Sequence, residues 1–162
     1  MAIILGIDPG SRITGYGIIA SDGRAYHHIA SGSIKVITGD FCRQLQQIFI
    51  KLVALVDEYH PEEAAIEQVF VHANINSALK LGQARGAAIA ALAQKDIKIA
   101  EYATRMVKQA VVGTGGAAKA QVQYMTKLLL KLKALPEEDE ADALAIAICH
   151  ANMSKLNLLQ KK

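Results

Sequence analysis

Ile3-Ile4-Leu5-Gly6-Ile7 is an unbroken apolar run, the pattern of a central strand covered on both faces, and Asp8-Pro9-Gly10-Ser11 then breaks it. Thr14 to Ala20 predicts a second strand, Ser21-Asp22-Gly23-Arg24 a turn and Ala25 to Val36 a third strand, so the chain opens as an antiparallel meander. Phe41, Leu45, Ile48, Leu52, Leu55 and Tyr59 recur at spacings of 4, 3, 4, 3 and 4. That is one stripe of an amphipathic helix, with Asp40 a candidate N-cap and His60-Pro61 its end. A short strand running to Glu67, a helix from Ser77 to Gln94 and a strand from Ile97 to Glu101 follow. Helices over Thr104 to Val112 and Ala117 to Leu132 flank Gly113 to Gly116, and Pro136 precedes a final apolar helix. Meander strands followed by alternating helices and strands predict a mixed five-stranded sheet flanked by helices, an α/β fold.

Four acids stand at the boundaries of these elements. Asp8 closes the first strand, Glu67 closes the strand Ala64-Ala65-Ile66, and Asp139 and Asp142 open the apolar segment from Ala141 to Ala151. Desolvating a lone carboxylate costs several kcal/mol unless something offsets it. Asp8 and Glu67 share a sheet edge if their strands are neighbours, and Asp139 and Asp142, three apart on a helix, share a face. An all-oxygen set of this kind suits a hard divalent cation such as Mg²⁺, and no His or Cys spacing points to zinc. Taken singly, Asp8 before Pro-Gly also reads as a turn residue, and Asp139, like Glu137, Glu138 and Glu140, as a helix N-terminal acid.

A length of 162 residues with 52% apolar content predicts one domain with a sizeable core. We assign residues 1–152 to it and 153–162 to a short tail carrying Lys155, Lys161 and Lys162. No stretch approaches the roughly 20 apolar residues of a membrane span, so a soluble, cytoplasmic protein that meets no membrane is expected. Cys42 and Cys149 lack metal or redox spacing and read as reduced small hydrophobes. The net charge of +3 changes the picture only through its distribution. Tyr102 to Pro136 holds no acid but carries Arg105, Lys108, Lys119, Lys127, Lys131 and Lys133, and acid-free Val69 to Lys95 carries Lys80, Arg85 and Lys95. Concentrated positive charge is what a surface meeting phosphates requires, though helix faces short of Glu produce the same count. In the helix from Ser77, Gly82, Gly86 and Ala90 form a small-residue ridge. Such a ridge serves packing on the protein's own sheet and a two-fold dimer interface equally well.

Several ordered segments together resemble the RuvC family of bacterial Holliday-junction endonucleases. They are Ile4 to Ser11 with Thr14-Gly15-Tyr16-Gly17, Ile66-Glu67-Gln68-Val69-Phe70, Asn76 to Gly86, Val107-Lys108-Gln109, and Asp139-Glu140-Ala141-Asp142-Ala143-Leu144-Ala145. The resemblance implies an RNase H-like fold, a homodimer, Mg²⁺-dependent paired nicking of four-way junction DNA, and cooperation with RuvA and RuvB. It places Asp8, Glu67, Asp139 and Asp142 at the catalytic, metal-holding positions, with one or two Mg²⁺ per subunit and Mn²⁺ as a substitute. It places Lys108 and Lys119 near the scissile phosphate and Phe70 against an unstacked base; the acid-free basic stretches, read by charge alone, add Lys80, Arg85 and Arg105 as expected DNA contacts. Phe70 as a core residue and either lysine as a plain surface charge are the bland alternatives.

Three other readings compete. Gly6-Ile7-Asp8-x-Gly10 is shared with the sugar-kinase, actin and chaperone ATPases, which need a second copy of the fold for which this chain has no room. The RuvC-like ribosomal-RNA processing nucleases share the first Asp, but the Glu67-to-Phe70 and Ser77-to-Gly86 segments point away from them. A junction-binding protein without catalysis is disfavoured by the presence of all four acids.

Overall fold

The structure, a computed structural model, describes residues 1–36, 39–70 and 74–160, the last six of these by backbone alone. Five strands, β1 (Ala2–Asp8), β2 (Ile13–Ser21), β3 (Tyr26–Lys35), β4 (Glu63–Glu67) and β5 (Lys98–Tyr102), form one sheet in the order β3-β2-β1-β4-β5. The β1–β2 and β2–β3 pairs are antiparallel, while β1–β4 and β4–β5 are parallel. Helices α1 (Phe41–Tyr59) and α2 (Ile75–Ala93) cover one face of the sheet. Helices α3 (Thr104–Val112), α4 (Lys119–Leu130) and α5 (Glu138–Gln160) cover the other.

The continuous apolar run of β1 follows from this sandwich. Leu5 and Ile7 enter the core beneath α1 and α2 with Ile18, Leu52 and Ile66, whereas Ile4 enters the core beneath α5 with Ile19, Ala65 and Leu144. Alternation along a strand then sends Gly6 and Asp8 to the α5 side, and in β4 sends Glu63 and Glu67 there with Ala65.

Helix α5 lies unusually close to that face because the sheet presents glycines to it. A Cβ on Gly6 would sit 2.1 Å from the Ala143 carbonyl oxygen, and one on Gly15 would sit 2.0 Å from that of Asp139. One on Gly17 would meet the Leu144 side chain at 2.7 Å. Backbone meets backbone here, so the helix cannot be accommodated by a change of rotamer.

Local chemistry sets the element ends. Asp40 caps α1 by accepting from the Cys42 and Arg43 amides, and His60 closes the helix in the left-handed region at φ 48°. Helix α2 starts at Ile75, ahead of the expected Ser77, because Asn74 caps it by accepting from Ser77 N–H. Helix α4 stops at Leu130 because Lys131 takes φ 53°. Helix α5 continues to Gln160, so the boundary drawn at residue 152 falls inside it, and the 153–160 part of the expected tail is helical; no Gly or Pro interrupts it. Lys161 and Lys162 lie outside the described residues. Both cysteines are free; Cys149 is buried as expected, but Cys42 is exposed on α1. Among the described residues, no helix is long and apolar enough to cross a membrane.

A single methyl group tests the close approach. Gly15→Ala should destabilise the fold by roughly 1–3 kcal/mol, the usual penalty of overpacking. Gly39→Ala, whose Cβ meets nothing within 4 Å, should stay within about 0.5 kcal/mol of the parent. Urea titrations of the two variants would decide it, and equal midpoints would rule out a tight α5 contact.

Candidate active site

Parallel pairing of β1 with β4 puts Ile7 opposite Ile66, so the next residues, Asp8 and Glu67, end adjacent strands side by side on the α5 face. Asp142 comes up from the first turns of α5. These three carboxylates line one cavity of about 230 Å³ together with Lys108 of α3 and Lys119 of α4. Val107, Val122 and Ile146 supply its apolar wall and Thr104 a hydroxyl. Asp139, one turn before Asp142, does not line the cavity but acts on it through its charge.

The electrostatics are those of a site with too much negative charge. Burial, then repulsion from Asp142, Glu67 and Asp139, pushes the Asp8 carboxyl up to about 8, against a smaller lowering by Lys119. Burial likewise raises Asp142 to about 6, with Lys119 opposing and Glu67, Glu138 and Asp139 adding to the rise. Lys119 is held above its ordinary range, first by its hydrogen bond to Glu138 and against burial, with Asp142 and Asp8 contributing. Among the described residues, no three His, Cys, Asp or Glu side chains converge closely enough to hold an ion as they stand. The donor set nonetheless fits a divalent cation, being all carboxylate oxygen, partly desolvated and short of positive charge.

The remaining candidates divide. Phe70 follows the end of β4 and is 61% exposed, which excludes the core alternative. Arg85 reaches from α2 to donate through Nε to the Glu67 carbonyl oxygen at 3.2 Å, and pairs with Glu101. Its guanidinium is therefore committed inside the chain, in contrast to the exposed phosphate contact expected of it. Lys80 lies on α2 with its ammonium 5.7 Å from the Phe41 ring centre, away from the acid cavity. Arg105 opens α3 and lays its stem on Gly115, where a Cβ would approach its Cγ to 2.3 Å.

Two participants escaped the sequence reading. Glu138, read as a helix-terminus acid, is the partner of Lys119. Thr104 had no signal at all, since only the packing of α3 against α5 and α4 brings it to the cavity.

Acids ending the two central parallel strands, faced by an acid-bearing helix across a glycine-lined sheet, define an RNase H-like fold built for phosphodiester chemistry. The family profile described as "Crossover junction endodeoxyribonuclease RuvC" matches residues 4–150. A relative of that name from Marinobacter nauticus is 59% identical over 155 residues, 96% of this chain and 89% of its own. Thermus thermophilus RuvC is 30% identical, with a TM-score of 0.86 over 96% of each chain. The same protein in complex with Holliday junction substrate gives 0.91 over 97% of each. The chain belongs to the RuvC family of crossover junction endodeoxyribonucleases.

The raised Asp8 carboxyl yields a stability test. With the folded-state value near 8 and the ordinary value 3.8, the folded form holds its proton more tightly. The metal-free protein should therefore lose stability as pH rises through that window and carry the full penalty above it. Asp8→Asn removes a penalty on the order of a few kcal/mol. It should melt higher than the parent in EDTA at pH 7.5, with a flatter profile between pH 4 and 8. A variant melting at or below the parent would show that Asp8 is satisfied without an ion.

Proposed function

We propose that this chain resolves four-way DNA junctions by paired phosphodiester hydrolysis in recombination and repair. The reading rests on one observation above all: Asp8, Glu67 and Asp142 line a single cavity with Lys108 and Lys119, in a chain that matches the RuvC family almost end to end. Asp8, Glu67, Asp139 and Asp142 would hold one or two Mg²⁺, or Mn²⁺ in its place. When bound, such ions polarise the phosphate and offset charge on the leaving oxygen. Water adds to phosphorus, the bond to the 3′ oxygen breaks, and the proton passes to that oxygen, leaving 3′-hydroxyl and 5′-phosphate ends. Lys119 and Lys108 stand where an ammonium group lowers the energy of charge developing on the phosphate. The apolar wall of Val107, Val122 and Ile146 limits water, which strengthens those interactions. Arg85 acts as a positioning residue by fixing the end of β4, and Arg105 remains exposed for phosphate. Phe70, solvated and beside the site, offers its ring to an unpaired base at the crossover.

The substrate's two-fold symmetry calls for two sites, and α2 supplies a face for a second copy. One side of α2 buries Ala84, Ala88, Ala91 and Leu92, while Ile75 and Leu79 stay 72% and 61% exposed. Gly82 and Gly86 meet nothing within 4 Å where a Cβ would stand. An apolar, small-residue helix face of this kind fits its own two-fold mate. Family membership supports work in the cytoplasm alongside RuvA and RuvB.

Nicking of a synthetic four-way junction in Mg²⁺, read beside gel-shift affinity, tests the site. Asp8→Asn, Glu67→Gln, Asp139→Asn and Asp142→Asn should each abolish nicking while affinity stays within about threefold, because binding rests on remote phosphate contacts. Phe70→Ala should lose a stacking interaction of roughly 1–3 kcal/mol without altering the salt dependence of binding. If affinity collapsed in step with rate for all four acids, they would be binding groups and not catalytic ones. For the dimer, Gly86→Leu has room within its own protomer and should lower the sedimentation coefficient toward the monomer with little change in melting temperature. An unchanged dimer would remove α2 from the interface.

A further inference from the structure

Helix α4 carries Lys119 at the catalytic cavity and ends at Leu130, about 16 Å away at roughly 1.5 Å per residue. At that far end, where β3 begins, lies an open groove of about 770 Å³ that has no part in the chemistry above. Its rim carries Arg24, His27, His28, Lys131 and Lys133, and no Asp or Glu lines it. Asp22 nearby is occupied as a turn acceptor for the Arg24 and Ala25 amides. The lining is otherwise apolar, built from Tyr26, Leu129, Leu130 and Leu132.

Two features extend this surface. Strand β3 is an edge of the sheet, and its register slips where Ile18 faces Ala30 and Ile19 faces His28. The bulge leaves Ile29, next to the lining residue His28, 39% exposed. Bulges re-aim side chains at sheet edges, and an edge strand offers backbone groups to an extended partner.

We propose that this groove docks a short acidic segment of a partner protein, with carboxylates on the basic rim and apolar side chains in the lining. The commitment to a peptide rests on the combination of rim and lining. A DNA arm would satisfy Arg24, Lys131 and Lys133 through phosphates but would bring nothing to cover Tyr26, Leu129 and Leu132. An acidic segment with interspersed apolar residues matches both. The sequence counted Lys131 and Lys133 with the phosphate-facing charges; the fold carries them to the opposite end of α4 from the acids.

Lys131 provides a substitution that spares the fold, because its φ of 53° is one that glycine adopts with less strain. A peptide-display selection on the full chain should enrich sequences combining Asp or Glu with Leu, Ile or Phe. The fluorescein-labelled winner should bind the parent at least tenfold more tightly than Lys131→Gly/Lys133→Glu. That variant should melt no lower than the parent and bind and nick a four-way junction normally. Lys133→Glu alone, should the pair fold poorly, should weaken the peptide by severalfold. Failure to enrich acidic-apolar peptides, or a winner indifferent to both substitutions, would overturn the proposal. Loss of junction affinity with a shallower salt dependence would overturn it too, by making the groove a DNA contact.

Discussion

Everything at the acid-bearing edge of the sheet depends on how closely α5 lies on it. Gly6, Gly15 and Gly17 clear the surface so that the Ala143 and Asp139 carbonyls and the Leu144 side chain occupy the space a side chain would take. Asp142 thereby reaches the cavity that Asp8 and Glu67 line, although it comes from a helix and they come from strand ends. Metal–ligand distances tolerate only about 0.2 Å of error, and contact between backbones is a stiffer spacer than contact between flexible side chains. Alternation along β1 and β4 does the complementary work by sending both strand-end acids to the helix side.

The assembly of acids is achieved against the preference of the isolated chain. Asp8 and Asp142 both sit above the ordinary carboxylate range, chiefly through burial, and each other acid of the group adds to the rise at Asp8. Lys119 relieves this in part while bonded to Glu138. Binding a cation and folding are thus linked: the charge density that suits the site to an ion is what the ion-free protein must tolerate. Further along α5 the arrangement is the opposite, a satisfied polar group. Buried His150 of α5 meets Tyr102 at 2.8 Å and Glu63 at 2.7 Å, so both ring nitrogens have partners and tie the helix to β4 and β5.

Much of this was legible in the sequence, for identifiable reasons. Apolar runs, one helical stripe and the breaks between them located every strand and helix, and the bounds of α1 and α3 agree because Asp40, His60 and Gly113 terminate them by local chemistry. The strand-end acids stood out because a charge interrupting an apolar run is anomalous. What was hidden depends on packing across the fold. The bonds of Arg85 to Glu67 and Glu101 span separations of 18 and 16 residues, and no pattern in α2 reveals them. The pairing of Lys119 with Glu138 and the placement of Thr104 are hidden for the same reason. Charge counting grouped Lys119 with Lys131 and Lys133, though helical rise carries them to opposite ends of α4. The expected boundary at residue 152 has no counterpart in secondary structure, because nothing in residues 152–160 breaks a helix and α5 simply continues.

Arg85 gives α2 a second significance. The helix whose outer face suits a second copy of the chain also grips the last residue of β4, through a bond from Nε to the Glu67 carbonyl oxygen. On the proposed dimer, α2 would therefore join association to the site: a shift of its outer face would reach, through Arg85, a strand end that carries one of the candidate acids. In an enzyme cutting two strands together, such a joint would work as a safety catch, tying the readiness of each blade to the presence of the other.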